Sequence, residues 1–290
     1  MSSSPQLRFS TVLGARLWRD LLQGAAATAK HFTLVFTEVS PIHRAFAPMA
    51  REQKFDLCEM AIVTALQALA YEKPLILLPV TVASRFQHRC LITMRSERPV
   101  RPGDLVGRSV GVRAYTQTTG VWLRGILQND YGVAPESVRW VTQEGAHVAE
   151  YRDPTWVERA PDGPSLPELL RRGEIDAAIL GNDLPDDPDF VPVIAQPDEA
   201  ARGWFEKYGV VPVNHMLMIR KDLAEQHRVA VRELWQTLKR VAPAGSLIGI
   251  EAHRPALELL LDYCRQQRLF PKQLRIEDVF APTHAILDDL

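Results

Sequence analysis

A run of polar or small residues, from Tyr115 to Thr119, interrupts the segment GVRAYTQTTGVWLRGILQNDYGV between a predicted strand and a predicted helix. A helix N-terminus has unpaired N–H groups and a partial positive charge, so it attracts anions. Gln117, Thr118 and Thr119 can donate further hydrogen bonds to a carboxylate. A single threonine N-cap explains one position but not the whole run. The segment therefore predicts either a plain helix cap or a carboxylate site that includes Tyr115, and Trp122 is expected to pack in the core.

A second cluster of candidate residues lies in ASRFQHRC, directly after an apolar strand pattern. Arg85 can bind a carboxylate through two parallel hydrogen bonds. His88 can hold or donate a proton near neutral pH. Together with Arg89 these residues also fit the plainer interpretation of a solvated basic loop. The cluster predicts a site only if this loop faces a cleft.

Two further residues interrupt apolar surroundings. Glu59 falls at a strand-to-helix turn in FDLCEMAIVTAL, where a carboxylate can cap the next helix. If the turn faces a cleft, Glu59 can instead accept a proton from a phenol or pair with Arg85. His215 begins the strand in PVNHMLMIRK, where a histidine is either packed in place or catalytic. Cys58, beside Glu59, is expected to be a small buried residue rather than a nucleophile.

Several familiar motifs are absent from the sequence. No GxGxxG follows the first predicted strand and no GxxxxGK[ST] occurs, so nucleotide binding has no support. HExxH is absent, and the histidines and cysteines lack the spacing of a metal motif. A dispersed divalent-metal site built from His88, His215 and Glu59 stays open as an alternative.

The elements that must position these residues alternate between strands and helices. Strands are predicted in QLRFSTVL, FTLVFTEVS, LILLPVTV and CLITMRS, and a helix in LWRDLLQGAAATA. HRAFAPMAREQKFDLCEMAIVTALQALA is predicted to contain a helix, a strand edge and a second helix. After RPVRPGDLVGRS the alternation resumes with VGVRAY, a helix ending at Gly132, VRWVTQ, SLPELLRRG and IDAAILGN. The strand VPVNHMLMIRKDL and two helices complete the chain. This alternation predicts an α/β protein with largely parallel sheets.

The restart of the pattern predicts two lobes. Residues 1–94 plus 214–290 form the first lobe, residues 95–213 form an inserted second lobe, and two crossover segments act as a hinge. The segment DLPDDPDFVPVIAQPDEAA is predicted as an irregular surface loop. Ligands of such folds bind in the crevice at the carboxyl ends of the strands, which would bring the candidate residues together.

Composition limits the class of protein. The chain has 290 residues, of which 46% are hydrophobic, and a formal net charge of -1, which favours neither nucleic acid nor an acidic membrane surface as a partner. Three widely separated cysteines without a CxxC motif fit a reducing compartment. The first residues show no signal-peptide pattern, and no apolar stretch reaches the length of a membrane span. A cytoplasmic location is therefore expected.

Several segments resemble the 4,5-dihydroxyphthalate decarboxylase family. FDLCEM resembles its FDVxEMS turn, ASRFQHRC its PSRxFRHS segment, and LVGRSVGVRAYTQTTGVWLRGILQNDYGV its LxGxxVGVPEYQxTAxVWxRGxLQxEYGV segment. LPELLRRGEIDAAI and GVVPVNHMLMIRKDL resemble later blocks, where the family shows GIFPxMHxxxIR. The resemblance implies a two-lobed, periplasmic-binding-protein-like type II fold with a hinge of two crossover segments. It further implies a cytoplasmic carboxy-lyase of phthalate degradation, which converts 4,5-dihydroxyphthalate to protocatechuate and CO2.

The resemblance implies a small aromatic carboxylate as ligand and no organic cofactor, and it is compatible with a homo-oligomer. A requirement for a divalent metal stays open. The sequence departs from the family pattern where Cys58 replaces serine, where Gln87 replaces arginine and at Arg89–Cys90. These changes preserve the anion-binding residues but leave room for a related ortho- or para-hydroxylated acid.

The chemistry of such a substrate assigns roles to the candidates. Direct loss of CO2 would leave an aryl anion, whereas protonation of the ring carbon that bears the carboxylate avoids it. Arg85 and the Thr118–Thr119 helix end are expected to bind carboxylate. His88, in preference to His215, is expected to be the acid, and Glu59 to hold the catechol hydroxyls. The alternative is a non-catalytic solute-binding or sensor protein on the same fold.

Overall fold

The computed structural model describes residues 6–160, 162–181 and 184–287. Within these residues the strands are β1 (Leu7–Val12), β2 (Phe32–Phe36), β3 (Leu57–Ala61), β4 (Leu75–Ser84), β5 (Leu91–Met94), β6 (Ser109–Val112), β7 (Arg139–Thr142), β8 (Val157–Arg159), β9 (Ala177–Ile179), β10 (Phe190–Pro192) and β11 (Val213–Arg220). The α-helices are α1 (Arg16–Ala26), α2 (Phe46–Glu52), α3 (Ile62–Ala70), α4 (Thr118–Tyr131), α5 (Leu166–Arg171), α6 (Pro197–Tyr208), α7 (Lys221–Gln226), α8 (Arg228–Val241), α9 (Ile250–Gln266) and α10 (Ile276–His284).

The first sheet has the strand order β2-β1-β3-β11-β4. β1 pairs in parallel with β2 and β3, whereas β11 lies antiparallel between β3 and β4. Every residue of β3 and the first seven of β4 are buried, in keeping with their apolar sequences LCEMA and LILLPVT. α1 and α8 cover one face, where Trp18 and Leu22 share a core with Leu234 and Trp235. This packing makes the first sheet the interior layer of its unit.

The second sheet has the order β10-β5-β9-β6-β7-β8. β6, β7, β8 and β9 are parallel, whereas β5 is antiparallel to both β9 and β10. The predicted boundary placed β5 in the first lobe, but Leu91 pairs with Ile179 of β9 and not with the first sheet. A short apolar strand has the same local pattern in either sheet, so only its partners identify it. The first crossover is therefore residues 85–90.

The two crossovers between the sheets run side by side. The second crossover is residues 209–212, between α6 and β11. The backbone N–H of Arg85 donates to the carbonyl of Pro212 at 3.1 Å, and Gln87 Nε2 donates to Asn214 Oδ1 at 2.9 Å. Trp122 Nε1, from α4, donates to the carbonyl of Val213 at 2.9 Å. The predicted hinge segments are thus bonded to each other and to the helix that opens the second unit.

The C-terminal helices contact both units. α8 packs against α1 and α10 packs against β4, whereas α9 packs against α4. The contact between α9 and α4 is close, because a Cβ atom on Gly125 would lie 1.9 Å from Cδ2 of Tyr263. Segment 214–290, assigned to the first lobe from the sequence, therefore also contacts the second unit through α9.

Most of the predicted elements are present. α4 ends where expected, with Gly132 in the left-handed conformation at φ 70°. The proline-rich segment, predicted to be irregular, contains β10 and the first residues of α6. None of the helices in the described ranges is long and apolar enough to cross a membrane.

Candidate functional site

A cavity of about 280 Å³ lies where both sheets end. It is lined by Pro41, Ile42, His43, Phe46, Ala61, Thr64, Ala83, Ser84, Arg85, Arg113, Gln117, Thr118, Thr119, His147, Gly181, Asn214 and His215. These residues include the carboxyl ends of β3 and β4 and the segments that follow β6 and β9, as expected for a ligand site in an α/β fold. A larger, shallower groove of about 960 Å³ beside α8 contains none of the predicted site residues.

Three polar side chains, from the segment after β4 and from the start of α4, surround a small space beside Gly181. A methyl group on Gly181 would stand 3.4 Å from Gln117 Nε2, 3.7 Å from Arg85 Nη2 and 4.0 Å from Thr119 Oγ1. Among the described residues, no acidic side chain forms an ion pair with Arg85. We call Arg85, Gln117, Thr119 and Gly181 the cradle. Its donors suit a carboxylate, which accepts several hydrogen bonds at once.

The N-termini of two helices also meet at the cavity. α4 begins at Thr118 with no side-chain cap from Gln117, so its first N–H groups are left to a ligand or solvent. The hydroxyl oxygen of Thr118 accepts a hydrogen bond from the N–H of Val63, in the first turn of α3, at 3.3 Å. Thr118 therefore joins the two helix starts. Both helix dipoles make this wall of the cavity favourable for an anion.

Glu59 and His215 form a buried pair at another wall of the cavity. They come from adjacent antiparallel strands, in which His215 is opposite Ala61, two residues after Glu59 and on the same face. Glu59 Oε1 lies 2.6 Å from His215 Nδ1, and Oε2 accepts hydrogen bonds from the N–H groups of Gly14 and Ala15. Because Nδ1 is occupied, Nε2 is the ring nitrogen of His215 that can meet a ligand.

Opposing effects act on the Glu59 carboxyl group. Burial raises its pKa, but the hydrogen bond and charge of His215 and the two backbone N–H groups together lower the pKa below its usual value. Glu59 is 3% exposed and does not line the cavity, so it cannot hold substrate hydroxyls as expected from the sequence. The structure corrects that role: Glu59 holds the ring of His215 in one orientation.

His147 is a cavity residue that the sequence analysis did not select. Its Nδ1 lies 2.8 Å from the hydroxyl of Thr64, and its ring meets Phe46 edge-on at 5.7 Å. Burial, followed by the charges of Arg113, His43 and Arg51, lowers the pKa of His147 to about 3. His147 is therefore neutral at physiological pH. Its segment, QEGAH, carries no local pattern that separates this histidine from an ordinary loop residue.

His88, the acid preferred from the sequence, lies outside the cavity. It is buried in the turn before β5, against Trp204 of α6 with ring centroids 6.1 Å apart. Burial lowers the pKa of His88, although the charge of Asp130 opposes this effect. Because α6 covers the imidazole, His88 cannot reach a ligand held by the cradle. His88 therefore does not meet His215 at the cavity, as the dispersed metal site would require. No group of three or more His, Cys, Asp or Glu that could hold a metal ion occurs in the described ranges.

Tyr115 is also removed from the cavity. Its side chain is buried, its hydroxyl accepts a hydrogen bond from Trp156 Nε1 at 3.0 Å, and its ring lies 3.9 Å from the guanidinium carbon of Arg124. Arg124 also donates to the Tyr115 carbonyl and, at 2.7 Å, to Gln267 Oε1. Tyr115 therefore packs against Arg124 of α4 and does not contact a ligand in the cavity. Trp122 is fully buried, as expected.

Ser109 lies in a sequence motif that is typical of hydrolases. Residues 107–111 read GRSVG and so match GxSxG, the motif of a hydrolase nucleophile at a strand-to-helix turn. Ser109 instead begins β6, and its hydroxyl donates to Asp176 Oδ2 at 2.8 Å. The motif is structural here.

Two curated proteins are similar in sequence to this chain. A 4,5-dihydroxyphthalate decarboxylase from Comamonas testosteroni is 32% identical over 197 residues, which cover 61% of this chain and 57% of that protein. A 4,5-dihydroxyphthalate decarboxylase from Pseudomonas putida is 29% identical over 169 residues, covering 53% of this chain and 65% of that protein. Each match spans less than two thirds of the relative's length. No protein-family model matches the chain. The resemblance found in the sequence is confirmed.

Solved structures confirm the fold class. A periplasmic sulfonate-binding protein from Methylobacillus flagellatus superposes with a TM-score of 0.54 at 9% identity, over 99% of this chain and 92% of that chain. The ligand-binding component of an ABC-type import system from Staphylococcus aureus gives a TM-score of 0.51 at 8% identity, over 97% and 84%. At such low identity these structures establish the periplasmic-binding-protein fold and nothing about the ligand.

Proposed function

We propose that this protein is a carboxy-lyase that removes CO2 from a hydroxylated aromatic dicarboxylate, with 4,5-dihydroxyphthalate as substrate and protocatechuate as product. One observation carries the proposal: a carboxylate cradle and a histidine backed by a carboxylate line the same 280 Å³ cavity. The names of the two curated relatives support the choice of substrate.

The cradle would hold the carboxylate that stays on the ring. Arg85 supplies a full positive charge, and Gln117 and Thr119 supply neutral donors. The N-termini of α3 and α4 add partial positive charge on the same wall. Binding one carboxylate here orients the ring, so that the second carboxylate and its ring carbon have a fixed position relative to His215.

The chemical step replaces a carboxylate with a proton at one ring carbon. The phenolate para to that carbon pushes electron density into the ring, and an acid protonates the carbon. The bond to the carboxylate then breaks, CO2 leaves, and the electron pair of that bond restores the aromatic ring. The protein must therefore supply a proton at the ring carbon and an environment that favours phenolate.

His215 is the acid in this proposal. The carboxylate of Glu59 occupies Nδ1, so a proton carried by His215 on Nε2 can be delivered into the cavity. After the transfer, neutral His215 keeps its Nδ1–H bond to Glu59, so its orientation persists through the reaction. Glu59 acts as a positioning residue that contacts the histidine and two backbone N–H groups but does not line the cavity.

The alternative is a binding protein on the same fold. A carboxylate receptor needs donors such as those of the cradle, but it has no use for a histidine that a buried carboxylate orients toward the ligand. The Glu59–His215 pair thus favours the enzyme, as do the names of the curated relatives. The two functions differ in one result, which is whether bound substrate is consumed.

Two histidine variants test the assignment. His215→Gln should lower the rate of CO2 release from 4,5-dihydroxyphthalate by roughly 10²-fold or more, the usual contribution of a general acid. His88→Gln serves as the matched control, because His88 is shielded by α6, and it should retain the rate once thermal unfolding shows that it is folded. Full turnover by His215→Gln would overturn the assignment. Calorimetry with protocatechuate should show that both variants still bind an aromatic carboxylate.

We also propose that the enzyme works in the cytoplasm. Cys58, Cys90 and Cys264 are free and buried, as suits a reducing compartment. Detection in the periplasmic fraction of fractionated cells would refute this location. The homo-oligomer remains a prediction, which light scattering of the purified protein tests.

A further inference from the structure

We infer that the His147 wall of the cavity is a hydroxyl-recognition subsite, which binds the ring hydroxyl of the substrate as its phenolate and so selects hydroxylated aromatic acids. This inference rests on the proposed function, because it assigns the second polar group of the same ligand. The subsite consists of His147, Thr64 and Arg113, all of which line the cavity.

The geometry leaves one nitrogen of His147 for a ligand. Nδ1 is engaged by the hydroxyl of Thr64 at 2.8 Å, and Thr64 is fixed in the first turn of α3. Because Nδ1 has this partner, Nε2 is the ring nitrogen that can bond to a molecule in the cavity. Phe46 packs edge-on against the ring and restricts its rotation.

His147 and His215 flank the same aromatic ring. The centroid of Phe46 is 5.7 Å from that of His147 and 5.4 Å from that of His215, with interplanar angles of 77° and 83°. Both imidazoles therefore belong to one corner of a small cavity. A single aromatic ring protonated by His215 is within reach of His147.

The charges around His147 favour an anion. Arg113, Arg51 and His43 disfavour a proton on the ring and, after burial, help to lower its pKa to about 3. Glu144 pairs with Arg113 at 2.6 Å and offsets part of this field. The charges that disfavour an imidazolium stabilise a phenolate oxygen, and a neutral His147 can donate a hydrogen bond to it. A phenolate is also the form that pushes electrons toward the carbon to be protonated.

Ligand binding separates this inference from the proposed reaction. The hydroxyl para to the carboxylate that leaves is meta to the carboxylate that stays, so calorimetry should compare 3-hydroxybenzoate with benzoate, which differ by that hydroxyl. His147→Gln should reduce the preference for 3-hydroxybenzoate by on the order of ten-fold, the value of about one hydrogen bond, while benzoate affinity stays the same. His227→Gln, an exposed histidine outside the cavity, is the matched control and should leave the preference unchanged.

The ultraviolet difference spectrum supplies a second readout. The wild-type protein should shift bound 3-hydroxybenzoate toward its phenolate absorption at neutral pH, and Arg113→Gln and His147→Gln should each diminish that band. Equal loss of affinity for both ligands, or an unchanged preference and band in His147→Gln, would overturn the subsite. If one of these results is found while the wild-type protein still releases CO2, only the subsite is refuted. If the wild-type protein neither binds nor converts the substrate, the proposed function is refuted as well.

Discussion

Replacing Gly181 with alanine should place a methyl group in the space that the cradle surrounds. The methyl carbon would lie 3.4 Å from Gln117 Nε2, 3.7 Å from Arg85 Nη2 and 4.0 Å from Thr119 Oγ1. These are ordinary van der Waals distances, and Gly181 does not have the positive φ at which a side chain would be strained. The variant should therefore fold normally, so a change in ligand binding can be attributed to the cavity.

The expected magnitude follows from what the methyl group displaces. A carboxylate oxygen must approach an N–H donor to about 2.7–2.9 Å, yet carbon and oxygen rarely approach closer than about 3.3 Å. A ligand carboxylate oxygen that accepts hydrogen bonds from the cradle donors beside Gly181 would therefore overlap the new methyl carbon. Loss of one hydrogen bond to a charged group costs about 1.5–3 kcal/mol, which is roughly a 10- to 150-fold change. Because the retained carboxylate is bound equally before and during reaction, KM should rise and kcat should change little.

Steady-state kinetics with 4,5-dihydroxyphthalate measures this change, and calorimetry with catechol supplies the discriminating control. Catechol has the hydroxyls but no carboxylate, so its affinity should be nearly the same in Gly181→Ala and wild type. Gly203→Ala, on an exposed part of α6 with open space around the new methyl group, is the matched variant. A KM within two-fold of wild type in a folded Gly181→Ala protein would refute the carboxylate cradle.

Three further predictions address the Glu59–His215 pair, the cavity residue His147 and the contact between α4 and α9. Glu59→Gln should lower kcat by roughly 10- to 100-fold. The double variant Glu59→Gln with His215→Gln should be no slower than His215→Gln alone, because the two residues act as one unit. Additive losses in the measured rates of CO2 release would contradict this. The pKa of His147 is about 3 in the folded protein and about 6.5 in the unfolded chain, so the unfolded chain takes up the proton first and stability should fall as pH drops from 6.5 toward 3. In urea titrations His147→Gln should therefore lose less stability than wild type between pH 7 and 4. Equal losses would refute the neutral state of His147 in the folded protein. Gly125→Ala should destabilise the protein by about 1–3 kcal/mol or more, because the new methyl group would overlap the ring of Tyr263. Gly24→Ala, with open space around it, should not be destabilising, and equal urea midpoints for these two variants would argue against the close α4–α9 contact.

The sequence predicts the local elements well because their signals are local. The strand, polar break and helix around residues 111–132 are present, and the end of α4 follows from a glycine that adopts φ 70°. The sheet to which a strand belongs depends instead on residues that are distant in the chain. β5 is a short apolar strand whose partners, β9 and β10, lie about 90 or more residues later in the chain, so its local pattern cannot assign it.

The candidate site shows the same division. Arg85, Gln117, Thr118, Thr119 and His215 line the cavity, because each follows or begins a strand at the edge where ligands of this fold bind. The functions of individual histidines depend on distant segments instead. His88 is excluded by α6, which begins more than 100 residues later, and Glu59 meets its partner 156 residues along the chain.

His147 illustrates what no local pattern could supply. Its role depends on contacts with Thr64, 83 residues earlier, and with Phe46, and on the charges that surround it in three dimensions. Only the folding of the chain brings these groups together. The chemistry expected from the sequence requires a group that receives the substrate hydroxyls, and we propose His147 for this role in place of Glu59.

The most direct test of the central claim is the fate of 4,5-dihydroxyphthalate incubated with the purified, chelator-treated wild-type protein. CO2 release and protocatechuate, separated by chromatography, are measured from the same samples. Both products should form in equal amounts and in proportion to protein concentration. Tight binding of 4,5-dihydroxyphthalate by calorimetry, with neither product formed, would contradict the account and identify the cavity as that of a binding protein.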